Sequence, residues 1–111
     1  MSKKTIRVGT VANSAITHFS TLLRIKRKEK KISVDELSVR LGISYPTTKR
    51  MLEGAATVAI GTYFEAAYVL GVTLFDPDEG RFAITASKSK QLESLLPKRI
   101  HKKKVELDDD F

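Results

Sequence analysis

The sequence predicts an all-α fold of five short helices, with an N-terminal arm and a flexible C-terminal tail. Three observations predict it. Apolar residues recur at three- and four-residue spacings in successive windows, serines stand where helices would open, and glycines stand where they would close. The 111 residues are 41% apolar, enough for one ordinary core and too few for two. The expected division is an arm over 1–13, a core domain over 14–86 and a terminal helix with a charged tail over 87–111.

The first helix is expected over about 14–30, where Ile16, Phe19, Leu22, Leu23 and Ile25 give a broad apolar face. Lys and Arg crowd its far end, which suits a helix C-terminus. Ser33-Val34-Asp35-Glu36 has the form of a capping box. In it the Ser33 hydroxyl accepts from the Glu36 amide and the Glu36 carboxylate reaches back to the Ser33 N–H. A second helix therefore begins at 33. Val34, Leu37 and Leu41 form its apolar stripe with small Ser38 between them, and Gly42 supplies the left-handed residue that ends it.

Ser44 is a second N-cap, and Tyr45-Pro46 fits a first helical turn, where the missing proline donor has no cost. This third helix ends at Gly54. Thr48 and Met51 fall inward, leaving Ser44, Tyr45, Thr47, Lys49 and Arg50 largely outward. A short helix of hydroxyls, an aromatic and two cations is built to touch something polar and negative. The fourth helix carries Tyr63, Ala66, Ala67 and Leu70 at i, i+3, i+4 and i+7 and ends at Gly71.

Beyond it the pattern thins. Residues 72–75 read equally as a short helix or a strand, 76–80 as a turn, 82–84 as a brief strand or loop, and 87–96 as a helix through Leu92, Leu95 and Leu96. From Pro97 onward the composition cannot bury a core and reads as a flexible tail.

Charge falls in blocks. Residues 1–54 hold twelve Lys and Arg against four acids, a net +8; 55–80 hold four acids and no cation; 81–104 return to +7; 105–111 carry −4. The first block should seek a polyanion. Alternation of this kind suggests two different contact surfaces, although basic runs also serve simple solubility.

Several chemistries are excluded or poorly served. With no Cys there are no disulfides and no thiolate metal sites or thiol catalysis, and a reducing cytoplasm is the simplest setting. Arg7, Asn13 and His18 interrupt any signal-type apolar run, and no stretch approaches the roughly 18 to 20 apolar residues of a membrane span. A soluble chain inside the cell is expected, with no membrane contact. His18 and His101 lack partners at metal-ligand spacing, and Asp108 to Asp110 lack the alternating ligands and turn glycine of a calcium loop. No phosphate-cradling glycine loop or nucleophile elbow is present, so neither a catalytic residue nor a cofactor is assigned.

The short helices at 33–41 and 44–53, joined through Gly42, match a helix-turn-helix in length and turn chemistry. In that motif the first helix braces against phosphates and the second offers side chains to a major groove. Arg27, the stretch ISVDELSVRLGISYPTTKRMLEG over 32–54 and the following LGVTL resemble the Cro and lambda-repressor type of helix-turn-helix, across roughly 15–75. The resemblance implies a lambda-repressor-like DNA-binding domain. It places Ser44, Tyr45, Thr47, Lys49 and Arg50 where the family reads bases or adjacent phosphates, and Ser33 and Val34 where a helix N-terminus approaches the backbone. Lys26, Arg27 and Lys28 would supply further phosphate contacts. Arg50 suits a guanine, whose major-groove acceptors take two bonds from a guanidinium, while Tyr45 would meet a thymine methyl or a phosphate. Each of these side chains also reads as plain surface. Two departures stand out: Lys31 replaces the family's frequent Gly before the second helix, and Leu52 replaces an acid that often pairs with the first-helix arginine. Arg27 is thereby directed to Glu53 or to a phosphate.

A narrower resemblance lies in VAIGTYFEAAYVLG (58–71), DPDEG (76–80) and LPKRI (96–100), which look like the antitoxins paired with HipA-type serine/threonine kinase toxins. It implies a homodimer that represses its own operon on an inverted repeat and holds the kinase in the same complex. The tail residues Asp108, Asp109, Asp110 and Phe111 would then dock on a basic groove of that partner, or else form a solubilising tail whose two halves attract. The dimer surface is expected in the last core helices and 72–84, with a strand exchanged between subunits. Two other readings stand beside this one: a phage-type repressor without a toxin, and a protein-interaction module without operator preference. A small basic nuclease fits worst, because no residue stands out as a general base.

Overall fold

A computed structural model of the chain describes residues 7–74 and 77–100. The architecture is all-helical, with α1 (Thr10–Glu29), α2 (Val34–Leu41), α3 (Tyr45–Leu52), α4 (Ile60–Leu70) and α5 (Glu79–Ser94), and no strand among the described residues. The chain divides into two units, 1–74 and 75–111. The first contains α1 to α4 and the second α5.

In the first unit, α1 and α2 each pack against both α3 and α4. The apolar spacings account for this. Leu23 of α1, Leu37 of α2, Met51 of α3 and Leu70 of α4 are fully buried, and Ile32, Leu52, Val58 and Tyr63 complete the centre. Each such side chain gains roughly 1.5–3 kcal/mol from leaving water. The expected stripe Tyr63, Ala66, Ala67, Leu70 is buried at all four positions, and Gly71 closes α4 in the left-handed conformation at φ 83°.

Three expectations need correction. α1 starts at Thr10, four residues before Ser14, with the Asn13 amide bonded to the Gly9 carbonyl at 2.9 Å. Residues 10–13 therefore leave the arm. Their side chains are exposed, so burial imposes no periodicity there for a sequence reading to detect. Residues 82–84 are helical, because α5 begins at Glu79: the Asp78 side chain accepts from the Arg81 amide at 3.0 Å and opens the helix inside what composition marks as a turn. The brief strand or loop expected at 82–84 is thus part of a helix. Residues 72–74 form neither helix nor strand. All the described residues of the second unit are exposed. The tail expected from Pro97 continues past Ile100 outside the described residues.

The junction of α1 and α2 explains one departure from the resembled family. Lys31 takes φ 56°, the left-handed region that favours glycine, and the Ile32 amide reaches back to the Arg27 carbonyl at 3.1 Å to complete the turn. A side chain there costs on the order of 1 kcal/mol relative to Gly. The position demands what glycine offers, and this chain meets it with an exposed cation.

Tyr63 ties α4 to the loop after α3. Its hydroxyl donates to the Ala55 carbonyl at 2.6 Å, and its ring lies 5.4 Å from that of Phe19 at 54°. Burial pushes its phenol above the usual 10.0, with a hydrogen bond to Ser20 pulling the other way. The unfolded chain therefore loses this proton first as pH rises, so the stabilisation is complete below about pH 10 and is lost as pH passes through the raised value. Tyr63→Phe is expected to cost about 0.5–1.5 kcal/mol at neutral pH and to flatten the fall in stability above pH 10. Urea titrations at a series of alkaline pH values measure both.

Candidate functional site

The turn between α2 and α3 is built from local chemistry. Ser33 caps α2, its hydroxyl accepting from the Glu36 amide at 3.0 Å. The return half of the expected capping box is not made, because the Glu36 carboxylate takes Arg40 at 2.7 Å instead. Gly42 sits at φ 68°, where the Ile43 amide bonds back to the Ser38 carbonyl at 3.1 Å. An L side chain at Gly42 would meet no atom within 4 Å, so the backbone conformation alone makes glycine the favoured residue there. Ser44 then caps α3 by accepting from the Thr47 amide at 3.2 Å.

Two buried contacts hold α3 against its neighbours. The Ser38 and Thr48 hydroxyls lie 2.6 Å apart, with the Val34 carbonyl 2.8 Å from Ser38 and the Ser44 carbonyl 3.1 Å from Thr48. Two hydroxyl protons thus serve three contacts, and neither buried oxygen is without a partner. At the other end, α1 supplies donors to carbonyls of the last turn of α3. Ser20 donates to the Met51 carbonyl at 2.6 Å, and Arg24 Nη1 donates to the Leu52 carbonyl at 2.5 Å while its Nη2 meets Thr21.

With both ends held, α3 buries Thr48, Met51 and Leu52 and presents Tyr45, Lys49 and Arg50 to solvent. Tyr45 is 46% exposed. Lys49 reaches Glu53 at 3.9 Å, and the Arg50 side chain has no ion pair or hydrogen bond among the described residues. Ser44 and Thr47 differ from them. Their hydroxyls lie 2.9 Å apart within the cap, so both are already engaged inside the chain.

The expected backbone-contacting residues are only partly gathered. Arg27, Val34 and Lys49 line one cleft of about 270 Å³ with Arg24, Leu52 and Glu53. Within it Arg27 does not pair with Glu53: Nη1 donates to the Ile32 carbonyl at 2.8 Å, and the buried Nε has no partner among the described residues. Lys26 pairs with Glu29 at 3.5 Å, and Lys28 is exposed on α1. Ser33 is exposed and Val34, the first residue of α2, half-buried. Asp108, Asp109, Asp110 and Phe111 lie outside the described residues.

Sequence reasoning missed Ser20 and Arg24. The signal was present, since Ser20, Leu23, Arg24 and Arg27 stand at i, i+3, i+4 and i+7 and so share one side of α1. A hydroxyl and two guanidinium groups aligned with a core leucine point inward, to backbone acceptors, rather than to solvent. Arg24, not Arg27, reaches the end of α3, and it does so at the backbone of Leu52, whose side chain stands where the resembled family often has an acid.

Among the described residues no helix is long and apolar enough to cross a membrane, and no three His, Cys, Asp or Glu side chains gather as metal ligands would. No family model, curated protein or solved structure matches this chain.

Proposed function

We propose that α2 and α3 form a helix-turn-helix of the lambda-repressor type and that the protein is a sequence-specific DNA-binding repressor. The observation that carries the proposal is the outer face of α3. Tyr45, Lys49 and Arg50 project from a helix that Ser44, Thr48, Ser20 and Arg24 hold at both ends. A rigid eight-residue helix with a cationic outer face fits the major groove, about 12 Å wide. Base reading falls to Tyr45, Lys49 and Arg50, because the Ser44 and Thr47 hydroxyls are taken up by the cap. Lys26, Lys28, Lys31 and the N-terminus of α2 supply phosphate contacts, and a two-fold dimer would place two copies of α3 about one helical turn apart on an inverted repeat. The resemblance over 58–71 and 76–80 supports autoregulation beside a kinase toxin as the biological setting.

Selection of duplexes from a randomised pool, followed by mobility-shift titration against a scrambled duplex, tests the proposal. The selected duplex is expected to bind at least about 10³-fold more tightly at physiological salt. Equal affinities would remove the repressor reading.

A further inference from the structure

The cleft shared by α1, α2 and α3 gathers more positive charge than the fold itself uses. Arg24 and Arg27 line it from α1, Val34 from α2, Lys49 and Leu52 from α3, and Glu53 from the residue after α3. Three cations against one acid leave a net +2. Lys49 and Glu53 stand 3.9 Å apart with exposed side chains, a weak pair that leaves the Lys49 ammonium available. α2 opens on the same wall, but Asp35 and Glu36 in its first turn offset its positive end. The side chains alone give the cleft its charge.

The two arginines differ in how far they are engaged. Arg24 gives Nη1 to the Leu52 carbonyl and Nη2 to the Thr21 hydroxyl. Arg27 gives Nη1 to the Ile32 carbonyl, and neither its Nε nor its Nη2 has a partner among the described residues. The Nε is buried, so bulk water does not serve it either. A buried donor without an acceptor is costly, most of all on a charged group, and calls for a physical reason. Nε–H and the Nη2–H beside it form one edge of the guanidinium. That edge offers two parallel donors to two oxygens of one oxyanion.

We infer that this cleft binds a small phosphate dianion, free or as a monoester, with the Nε–Nη2 edge of Arg27 as its main donor and Lys49 as a second cation. Charge selects the ligand. A phosphomonoester carries about −1.5 to −2 at pH 7, which meets the +2 of the lining, whereas each phosphodiester of a duplex carries a single charge. Size agrees with charge. The cleft of about 270 Å³ falls below the roughly 300–1,000 Å³ of sites that take drug-sized ligands, and no aromatic ring lines it to stack on a base. A single water could accept from Nε but would leave both excess charges uncompensated. The inference stands apart from the repressor reading, because it needs no nucleic acid.

Titration calorimetry of the full chain with inorganic phosphate, against chloride at constant ionic strength, tests it. A saturable one-to-one isotherm is expected, which the general salting effect of phosphate does not produce. The Arg27 Nε–H proton resonance should move as the site fills. Arg27→Gln is expected to weaken binding on the order of 10-fold or more, and Arg27→Lys, which keeps the charge but loses the edge, nearly as much. Lys28→Gln removes an exposed charge from the same helix and should change the affinity by less than about 2-fold. Glu53→Gln removes the one acid of the lining and should tighten binding by roughly 3-fold or more. Glycerol phosphate in place of inorganic phosphate separates the two sources: tighter binding points to a monoester, equal or weaker binding to the free ion. A wild type without saturable binding overturns the site. So does an equal loss in Arg27→Gln and Lys28→Gln, which would reflect the overall field. Should Arg27→Gln lose its helical circular dichroism, Glu53→Gln decides, and an unchanged affinity there overturns the site. Phosphate that fails to bind while Arg27→Gln weakens duplex affinity would give the cleft to a phosphodiester and overturn the inference.

Discussion

Leu37→Ala is expected to destabilise the first unit by about 2–5 kcal/mol, the largest effect of any single truncation considered for this fold. Leu37 is fully buried on α2, which like α1 packs against both α3 and α4. Removing its isobutyl group forfeits the transfer energy and leaves a void that two neighbouring helices, each held by other contacts, cannot close by moving together. A domain this small has a total stability toward the lower part of the usual 5–15 kcal/mol range, so the loss is a large share of it. Each kcal/mol corresponds to roughly 4–8 °C in melting temperature for a unit of this size. Val39→Ala on the same helix is the control: Val39 is 80% exposed, and its truncation should stay within about 0.5 kcal/mol. Thermal melts followed by circular dichroism compare the two directly. A Leu37→Ala chain that melts with the wild type would mean that α2 does not pack as described, and the positioning of α3 would lose its support.

The parts of this molecule that the sequence makes legible are those decided by local chemistry. Ser33, Gly42 and Ser44 each perform at one position the task their side chains suggest, so the bounds of α2 and α3 follow within a residue. Burial with helical period made α4 equally plain. The failures share a cause as well. The first turn of α1 and the first half of α5 bury nothing, so they leave no apolar rhythm, and the Asp78 cap is hidden between Pro77 and Gly80 in a segment whose composition reads as a turn.

Arg24 and Arg27 illustrate a different limit. Among many cations on α1, the two that turn inward to backbone carbonyls look like the ones that face solvent, and only their alignment with Leu23 separates them. The consequence is functional. Counting every cation of 1–54 as available to a polyanion overstates the electrostatic footprint, because Arg24 spends its donors on the end of α3. Under the proposed function Arg24 would serve by fixing the position of α3 rather than by a contact of its own.

Arg50 and Lys28 should separate base reading from phosphate contact. Arg50→Ala is expected to cost about 1–3 kcal/mol on the selected duplex and to relax the preference at one base pair, since a guanidinium that donates two bonds to guanine discriminates where a point charge does not. The Arg50 side chain is exposed on α3 with no ion pair or hydrogen bond among the described residues, so its removal should leave the fold intact. Lys28→Ala should instead weaken all sequences alike, and the slope of log affinity against log salt should fall by about 0.9 for the lost phosphate contact. Arg50→Lys distinguishes charge from geometry. It keeps the cation but loses the planar fork, so nonspecific affinity should survive while discrimination at that base pair does not. Titrations of single-base-pair variants of the selected duplex, repeated over a salt series, provide all of these readings. If Arg50→Ala weakened every variant by one common factor, Arg50 would be a phosphate contact, and α3 would grip a duplex without reading it.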